Sequence, residues 1–283
     1  MTDARVGRRA IVIRPPSERP VEGRPEVAVI VPTYNTAPTV VAVLEALLDG
    51  GATTILVIDN ASDDGTVDEV SRFVAREPRA PAVVRVLQNE RNLGYGGSIK
   101  RGFSELTGGH RLIAVMHSDD QCAVRATLQL MLSAVQAPAM PDVVLASRFV
   151  RAADTALYSR IRRAGNRFFN WLTRAVSGLP MSDAGTAIMV VHPQVVASLP
   201  FDRLTSGYRF HCQLNLLLYG SPGLVIAEVP LAWRDASVGV PFSLLGYGLG
   251  LLRLLGAFAW RRRILRRPLE ESVVRAEPGV VDG

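Results

Sequence analysis

The sequence predicts an α/β fold in which a mostly parallel central sheet is flanked by helices. Short apolar runs rich in branched side chains recur at residues 27–31, 54–58, 83–87, 112–116 and 143–146. Runs of this length and composition are typical of strands that are buried on both faces of a parallel sheet. Segments with helical spacing of apolar residues separate the runs, and this alternation indicates parallel strands joined by crossover helices.

Composition narrows the class of partner. The net charge is +6 and 48% of the residues are hydrophobic, so we expect a sizeable core and anionic partners such as nucleotide phosphates or lipid headgroups. No RNA-binding or zinc-finger signature accompanies the charge, so nucleic acid is not expected. Cys122 and Cys212 lack metal-ligand spacing and are expected to be free thiols in a reducing, cytoplasmic compartment.

We divide the chain into four segments by composition. Residues 1–25 are predicted to be a flexible basic arm, 26–239 the globular domain, 240–268 an amphipathic basic helical segment, and 269–283 a disordered tail. The third segment is apolar and then rich in arginine, which suits a helix lying on an anionic membrane surface. Packing on the domain's own core, or a homodimer interface, explains the same pattern equally well. No uncharged apolar run of about eighteen residues occurs, so no transmembrane helix is predicted.

Acidic residues follow the fourth apolar run directly. His117, Ser118, Asp119, Asp120 and Gln121 begin where the predicted strand ends. Open α/β sheets bind their ligands at the carboxyl ends of the strands, and carboxylates there suit a hard cation bound to a nucleotide diphosphate. The alternative is that these acids only cap the next helix.

Two further loops lie at the same predicted edge. Asp59 ends the second run, where its carboxylate could accept hydrogen bonds from a nucleobase; the alternative is an Asx-turn or cap, a role that better suits Asp63 and Asp64. Glycines in residues 88–102 permit close backbone approach before a helix. They lack the GxGxxG spacing and follow the third strand, which disfavours a Rossmann dehydrogenase.

Residues 26–239 resemble glycosyltransferase family 2, the inverting sugar transferases of GT-A fold, and most closely its dolichyl- and polyprenyl-phosphate sugar synthases. The resemblance rests on four motifs in the expected order. They are Pro32-Thr33-Tyr34-Asn35, the VIDNASDDGT stretch at 57–66, Asn92-Leu93-Gly94-Tyr95-Gly96-Gly97 with Lys100, and His117-Ser118-Asp119 followed by Gln121.

The resemblance implies roles for particular residues. The residues implied to bind the donor nucleotide are Pro32, Thr33, Tyr34, Asn35, Asp59, Asn60, Asn92, Gly94, Gly97, Lys100 and Ser118. Asp119 and His117 fall in the slot of the metal-binding DxD motif, which implies Mn²⁺ or Mg²⁺. The residues assigned to the acceptor or phosphate side are Asp120, Gln121, Arg209 and Arg234.

Two departures from the family pattern affect the expected chemistry. His117 replaces the first aspartate of DxD, and imidazole suits Mn²⁺ better than Mg²⁺. Asp183 is followed by Ala184-Gly185-Thr186, where the family often carries Ser-Gly-Phe-Arg, and Gln213 stands where relatives often carry an acid. Two acceptor classes therefore remain as alternatives: a polyprenyl phosphate, and a saccharide or small molecule.

The implied reaction is an inverting displacement at the anomeric carbon of a nucleotide-diphosphate sugar. Asp119 and Asp183 are the expected catalytic residues. Asp119 holds the metal that stabilises the departing diphosphate, and Asp183 is the candidate base for a hydroxyl acceptor. A phosphate acceptor needs no base, and Asp183 would then orient or bind it. Such an enzyme is expected to be cytoplasmic and peripheral at the inner face of the membrane.

Two rival functions remain at this stage. A sugar nucleotidyltransferase would be expected to carry a glycine-rich, basic loop after the first strand, where this chain has Pro32-Thr33-Tyr34-Asn35. A catalytically lapsed nucleotide-binding or interaction module is the second alternative, and His117 in the metal slot is the feature that suggests it.

Overall fold

The computed structural model describes residues 11–12, 25–106, 110–151, 153–235 and 244–274. Its strands form one eight-stranded sheet in the order β1-β8-β6-β7-β5-β2-β3-β4. The strands are β1 (Ile11–Val12), β2 (Val27–Thr33), β3 (Thr54–Asp59), β4 (Val84–Gln88), β5 (Leu112–Val115), β6 (Val143–Ser147), β7 (Met189–Val191) and β8 (Ile226–Pro230).

Helices connect the strands and cover the sheet. They are α1 (Ala37–Gly50), α2 (Thr66–Arg76), α3 (Ala80–Val83), α4 (Tyr95–Leu106), α5 (Val124–Val135), α6 (Arg160–Ser177), α7 (Pro193–Ser198), α8 (Phe210–Gly220), α9 (Leu244–Ala259) and α10 (Leu269–Val274). A 3-10 turn spans Phe201–Arg203, and a π-helical turn spans Trp260–Ile264.

The sheet is parallel except at β7. Strand β2 pairs in parallel with β3 and with β5, whereas β7 lies antiparallel between β5 and β6. The prediction of a mostly parallel α/β fold is therefore confirmed. The antiparallel strand was not predicted, because a three-residue apolar segment carries no signal of its pairing direction.

Alternate residues of the central strands enter two hydrophobic cores, one on each face of the sheet. In β2, Ile30 belongs to one core and Val29 to the other, as the period of a strand requires. Helix α4 approaches β2 closely, since a Cβ placed on Gly102 would lie 2.6 Å from the side chain of Ile30. This close contact sets the position of α4, whose first turn borders the site described below.

Two expectations for the ends of the chain were wrong in part. Ile11–Val12 of the expected flexible arm forms β1 and pairs with β8. Leu269–Val274 of the expected disordered tail forms α10, because Leu269 packs against Gly220 and the Gln213 side-chain amide donates to the Val273 carbonyl at 3.0 Å. The rest of both segments, residues 1–10, 13–24 and 275–283, lies outside the described residues.

Helix α9 within the predicted amphipathic segment packs on the domain by one side. Leu251, Leu254, Leu255 and Phe258 are buried in the core that also contains Ile30. The expected alternative of packing on the domain therefore holds for this side of the helix, while its other side is exposed. Among the described helices, none has the length and hydropathy needed to span a membrane.

Candidate active site

The loops that leave the central strands meet at one edge of the sheet. Strands β2, β3 and β5 are parallel neighbours, and β6 runs in the same direction because β7 is antiparallel to both β5 and β6. Their carboxyl ends therefore lie along this edge. His117–Asp120 follow β5, and Arg148 follows β6 directly. Ligands of open α/β sheets bind in this position.

A cluster of aromatic and imidazole side chains surrounds His117. The Tyr95 hydroxyl lies 3.3 Å from His117 Nε2, and the Trp233 ring meets the His117 ring edge-on with centroids 5.5 Å apart. His211, in the first turn of α8, packs edge-on against Tyr95 at 4.7 Å, and Tyr208 stacks on Tyr95 at 6.2 Å. The cluster joins residues from α4, α8 and the loops after β5 and β8.

His117 and Asp119 have the spacing of two ligands of one cation. His117 Nδ1 lies 3.9 Å from Asp119 Oδ2, which is compatible with one ion bound to both atoms at about 2 Å. Burial lowers the pKa of His117, and Arg148 acts in the same direction against the attraction of Asp119. A neutral imidazole is the form that binds metals. No group of three or more metal-ligating side chains occurs in the described part of the chain, so remaining ligands would come from a bound diphosphate or water.

His211 is buried beside this pair with a polar atom that has no partner. It is 8% exposed, and its Nε2 makes no hydrogen bond in the described structure. Burial lowers the pKa of His211 well below its usual value, with smaller contributions from His117 and Arg148. A neutral imidazole nitrogen without a partner can donate to or accept from a ligand that enters the cluster.

Arg148 and Asp183 form a buried ion pair at the same edge. Arg148 Nε and Nη2 donate to the two Asp183 oxygens at 2.7 and 2.8 Å, and the side chains are only 9% and 0% exposed. The backbone N–H groups of Arg148 and Gly185 also donate to this carboxylate, both at 3.1 Å. Burial opposes the charge on Arg148, but Asp183 outweighs it and raises the pKa of Arg148. The guanidinium lies 5.2 Å from the Trp233 ring centroid, so it borders the His117 cluster.

This pairing bears on the predicted catalytic role of Asp183. A general base needs a carboxylate oxygen that can reach the acceptor proton. Both Asp183 oxygens already accept two hydrogen bonds each, and the residue is enclosed. The geometry therefore gives Asp183 the task of holding Arg148, and its action as a base remains a prediction that would require the pair to open.

The predicted donor loop after β2 lies against the Asp119 loop. Ser118 Oγ donates to the Pro32 carbonyl at 2.9 Å, which ties the loop after β5 to the carboxyl end of β2. Asn35 has a left-handed backbone with φ of 52°, and its N–H donates to Ser62 Oγ at 3.0 Å. Thr33 is buried, whereas Tyr34 is partly exposed at this edge.

Asp59 takes part in the turn that we assigned to its neighbours. Its Oδ2 accepts the Ser62 N–H at 3.2 Å, and the residue is fully buried. Asp64 Oδ1 accepts the Thr66 N–H at 3.0 Å, which is the local turn predicted for it, and its Oδ2 accepts the Ala37 N–H at the start of α1 at 2.9 Å. A contact between Asp59 and a nucleobase remains a prediction, and it would require the turn to shift.

The predicted glycine loop is held by Asn92 from the loop itself and by Asn60, which follows β3. Asn60 Oδ1 accepts the Leu93 N–H at 2.8 Å, and Asn60 Nδ2 donates to Asn92 Oδ1 at 2.6 Å. The Gly94 N–H is bonded to Asn92, and the Gly97 N–H, inside α4, to the Ser206 carbonyl. These two amides, which we expected to face the diphosphate, are thus engaged within the protein.

Lys100 is engaged with the protein in the same way. Its Nζ donates to the Leu204 carbonyl and to Ser206 Oγ, both at 2.9 Å, and burial lowers its pKa. Its ammonium therefore holds the 202–206 loop, which passes close to Gly94: a Cβ there would lie 2.5 Å from the Ser206 carbonyl oxygen. A nucleotide contact by Lys100 would compete with these bonds and remains a prediction.

Three of the four predicted acceptor-side residues come together. Asp120, Gln121 and Arg234 line a cavity of about 650 Å³, where Arg234 pairs with the Asp120 carboxylate. The Arg234 N–H also donates to the Gln121 carbonyl at 2.9 Å. Arg209 lies elsewhere, buried beneath α9, where a Cβ on Gly250 would be 3.1 Å from its Cδ.

Several residues of this edge were not predicted as site residues. They are Tyr95, Arg148, Tyr208, His211 and Trp233. Arg148 could have been predicted from the sequence, since it closely follows the apolar run at 143–146 and Asp183 is a possible charge partner. The other four come together only through the packing of α4, α8 and the loop after β8, which no local pattern encodes.

Comparison with known proteins agrees with the fold and shows the family. Residues 28–193 match the model of the family described as Glycosyl transferase family 2. The undecaprenyl-phosphate mannosyltransferase of Micrococcus luteus is 30% identical over 229 residues, covering 75% of this chain and 85% of that protein. The succinoglycan biosynthesis protein ExoO of Rhizobium meliloti is 36% identical over 98 residues, 34% of this chain and 26% of its own.

Solved structures share the fold at low identity. Glucosyl-3-phosphoglycerate synthase from Mycobacterium tuberculosis, in complex with Mn²⁺ and UDP-glucose, superimposes with a TM-score of 0.61 at 18% identity, covering 87% of this chain and 84% of that one. Its complex with UDP gives a TM-score of 0.62, also at 18% identity, with 87% and 86% covered. The sheet order, the loops gathered at its carboxyl edge and the family match over more than half of the chain lead to one conclusion. The protein belongs to glycosyltransferase family 2 and is a glycosyltransferase.

Proposed function

We propose that this enzyme transfers a sugar, with inversion, from a nucleotide-diphosphate sugar to the phosphate of a polyprenyl phosphate. The relative from Micrococcus luteus, named for an undecaprenyl-phosphate acceptor, supports the acceptor class. The related fold of a synthase crystallised with UDP-glucose and Mn²⁺ supports the donor class.

The observation that carries the choice of acceptor is the buried pair of Arg148 and Asp183. A hydroxyl acceptor must lose a proton during the reaction, whereas a phosphate acceptor is already anionic and needs no general base. Asp183, the predicted base, is enclosed and bonded to Arg148. A site that holds a fixed guanidinium and no free carboxylate at this point suits an anionic acceptor.

The proposed step exchanges one bond for another at the anomeric carbon. An oxygen of the acceptor phosphate forms a bond to this carbon while the bond from the carbon to the diphosphate oxygen breaks, and the nucleoside diphosphate leaves with the electron pair. No proton is transferred in this step. Arg148 uses Nε and Nη2 to bind Asp183, and we propose that its Nη1 N–H groups donate to the phosphate oxygens.

Asp119 and His117 are the residues proposed to hold a divalent metal, Mn²⁺ or Mg²⁺, between the protein and the diphosphate. When bound, such an ion stabilises the negative charge that develops on the leaving diphosphate. Tyr95 orients the His117 ring through its hydroxyl at 3.3 Å from Nε2, which leaves Nδ1 directed toward Asp119. Because the His117 ring would already be fixed, metal binding would cost little further side-chain freedom.

The acceptor class implies a place of action. A polyprenyl phosphate resides in a membrane, so we propose that the enzyme works as a peripheral protein at the cytoplasmic face. Cys122 and Cys212 are both buried free thiols, as expected in a reducing compartment.

The test is an acceptor panel with the purified full chain. UDP- and GDP-sugars are incubated with Mn²⁺ or Mg²⁺ and with undecaprenyl phosphate in detergent, 3-phosphoglycerate or a free saccharide, and products are identified by mass spectrometry. We expect a glycosyl phosphodiester extracted into organic solvent, lost in Asp119→Asn and after chelation, and strongly reduced in Arg148→Met. Arg85→Met, on the distant edge strand β4, is the matched control and should keep full activity.

Two outcomes would overturn parts of this proposal. Sugar found only on 3-phosphoglycerate or the saccharide would reject the phosphate acceptor. If Arg148→Met fails to fold, thermal stabilisation of Arg148→Lys by a nucleoside diphosphate with metal shows that the donor site is intact. Full transfer by that folded variant would then reject the paired N–H donors of the guanidinium as the acceptor contact, because lysine keeps the charge but not the fork.

A further inference from the structure

Helix α6 exposes an apolar stripe to solvent. Ile161, Phe168 and Trp171 are 78%, 51% and 57% exposed, and their spacing places them on one side of the helix. The opposite side carries the buried Asn170 and Thr173. A surface helix normally turns its large apolar side chains inward. Helix α6 follows this rule only in part, because it exposes these three while it packs three others against the core, namely Phe169, Leu172 and Val176.

Helix α9 and the π-helical turn after it expose a second apolar stripe. Large side chains of this segment are between 44% and 82% exposed. They are Leu245, Leu249, Leu252, Trp260, Ile264 and Leu265. The other side of α9 is buried in the core, so this stripe is the side that faces away from the core.

The two stripes belong to one surface. A Cβ on Gly248 would lie 3.4 Å from the Phe169 ring, so α9 begins against the middle of α6. Arg263 Nη2 donates to the carbonyls of Ala175 and Val176, each at 3.3 Å, so the π-helical turn reaches the end of α6. We call residues 160–177 and 244–267 together the α6–α9 surface.

The charge of the α6–α9 surface has one sign. It contains eleven arginines and no aspartate or glutamate. These are Arg160, Arg162, Arg163, Arg167, Arg174, Arg253, Arg261, Arg262, Arg263, Arg266 and Arg267. Acids from outside the surface pair with two of them: Asp235 with Arg162 at 3.2 Å and Glu271 with Arg267 at 3.6 Å.

We propose that the α6–α9 surface docks the enzyme on an anionic phospholipid bilayer. Exposed aliphatic and tryptophan side chains enter the interface, while arginines along the same helices meet the headgroup phosphates. A second copy of the chain fits less well, since a two-fold contact through this surface would place its eleven arginines against one another. The lipid contact predicted for the C-terminal segment would thus extend to α6.

The surface adjoins the proposed acceptor site. Asn170 Oδ1 of α6 accepts the Ala184 N–H at 2.9 Å, and Arg174 donates to the Met181 carbonyl at 3.3 Å. Helix α6 therefore packs on the loop that carries Asp183. A bilayer against the exposed stripe of α6 would therefore be separated from this loop by the width of one helix. Docking itself does not depend on the proposed reaction, and it is measured without donor or acceptor.

The three tryptophans make the test specific. Trp171 and Trp260 lie on the α6–α9 surface and are 57% and 58% exposed, while Trp233 is buried. The full chain is mixed with vesicles of phosphatidylcholine alone or with 30% phosphatidylglycerol, and with lipids brominated in the acyl chain. We expect binding only to the anionic vesicles, weakened by salt, with quenching of emission. Trp171→Phe and Trp260→Phe should each lose part of that quenching.

Two double variants, each with a control, test the charged and the apolar contacts with the bilayer separately. Arg160→Glu/Arg167→Glu, both exposed on α6, should weaken binding at least about tenfold, since each basic residue near an anionic surface contributes severalfold. Arg76→Glu/Arg85→Glu, the control with the same charge change on α2 and β4, should weaken it far less. Leu249→Ser/Leu252→Ser should reduce quenching, and Met140→Ser, equally apolar and 74% exposed elsewhere, should not.

Three results would overturn the proposal. Equal binding to neutral and anionic vesicles would remove the role of the arginines. Quenching that survives Trp171→Phe unchanged would exclude α6 from the contact. The third result is that the wild type binds no vesicles and light scattering shows a dimer, which Leu249→Ser/Leu252→Ser converts to monomers. The surface would then be assigned to a contact with a second copy.

Discussion

Replacing Asp183 by alanine should destabilise the fold more than any exposed ion-pair substitution. The change removes an acceptor of four hydrogen bonds and leaves the Arg148 guanidinium buried without its counter-charge. Breaking a buried pair from one side costs about 3–5 kcal/mol, chiefly because of the uncompensated charge. Since each kcal/mol shifts the melting temperature of a chain of this size by about 2–4 °C, we expect a fall of at least roughly 6 °C.

The assay is urea unfolding followed by circular dichroism, with thermal melts as a second measure. Asp49→Ala is the matched control: its carboxylate pairs with Arg79 at 3.0 Å, but both side chains are about half exposed. Such a surface pair contributes about 0–1 kcal/mol. Arg148→Met/Asp183→Ala should cost less than the sum of the single changes, because neither charge is then left alone.

The reasoning is refuted if Asp183→Ala unfolds within about 1 kcal/mol of the wild type. It is also refuted if the double variant loses the full sum of both single effects. Either result would show that the two side chains do not depend on each other, and Arg148 would no longer be held for an anionic ligand.

Three further predictions test other parts of the structure. Gly102→Ala should lower stability by about 1–3 kcal/mol in urea unfolding, because its Cβ would meet Ile30 at 2.6 Å; a neutral effect would mean that α4 can move off β2. Gly165→Ala, in α6 with no atom within 4 Å of the new Cβ, should raise stability by about 0.5–1 kcal/mol in the same assay. Burial lowers the pKa of His211 in the folded protein well below 6.5, the usual value, which the unfolded chain keeps. Between these two pKa values the unfolded chain binds more protons than the folded one, so stability falls as the pH drops through about 6.5. The melting temperature of His211→Gln should accordingly decline less between pH 7.5 and 5.5 than that of the wild type, and parallel declines would contradict a neutral buried His211.

Sequence patterns alone determined the fold class and the edge that holds the site. Apolar runs of strand length followed by polar residues gave β2, β3, β5 and β6 within a few residues of their observed bounds, because burial on both faces of a parallel sheet leaves a local composition. The same patterns placed Asp119, Asp59 and Pro32–Asn35 at the carboxyl ends of strands. They also indicated that the C-terminal segment is amphipathic, since helical periodicity is local.

Only the tertiary structure decided which of these side chains are available. Lys100, Gly94 and Gly97 carry the residue types that bind phosphates, yet their polar groups are engaged with the 202–206 loop or with Asn92. Asp183 looked like a base until Arg148 was found beside it, 35 residues away in sequence. Such pairings depend on which elements pack together, and residue type and spacing do not encode them. The exposed stripe of α6 is of the same kind: periodicity defines the two sides of a helix, but only packing decides which one faces the protein.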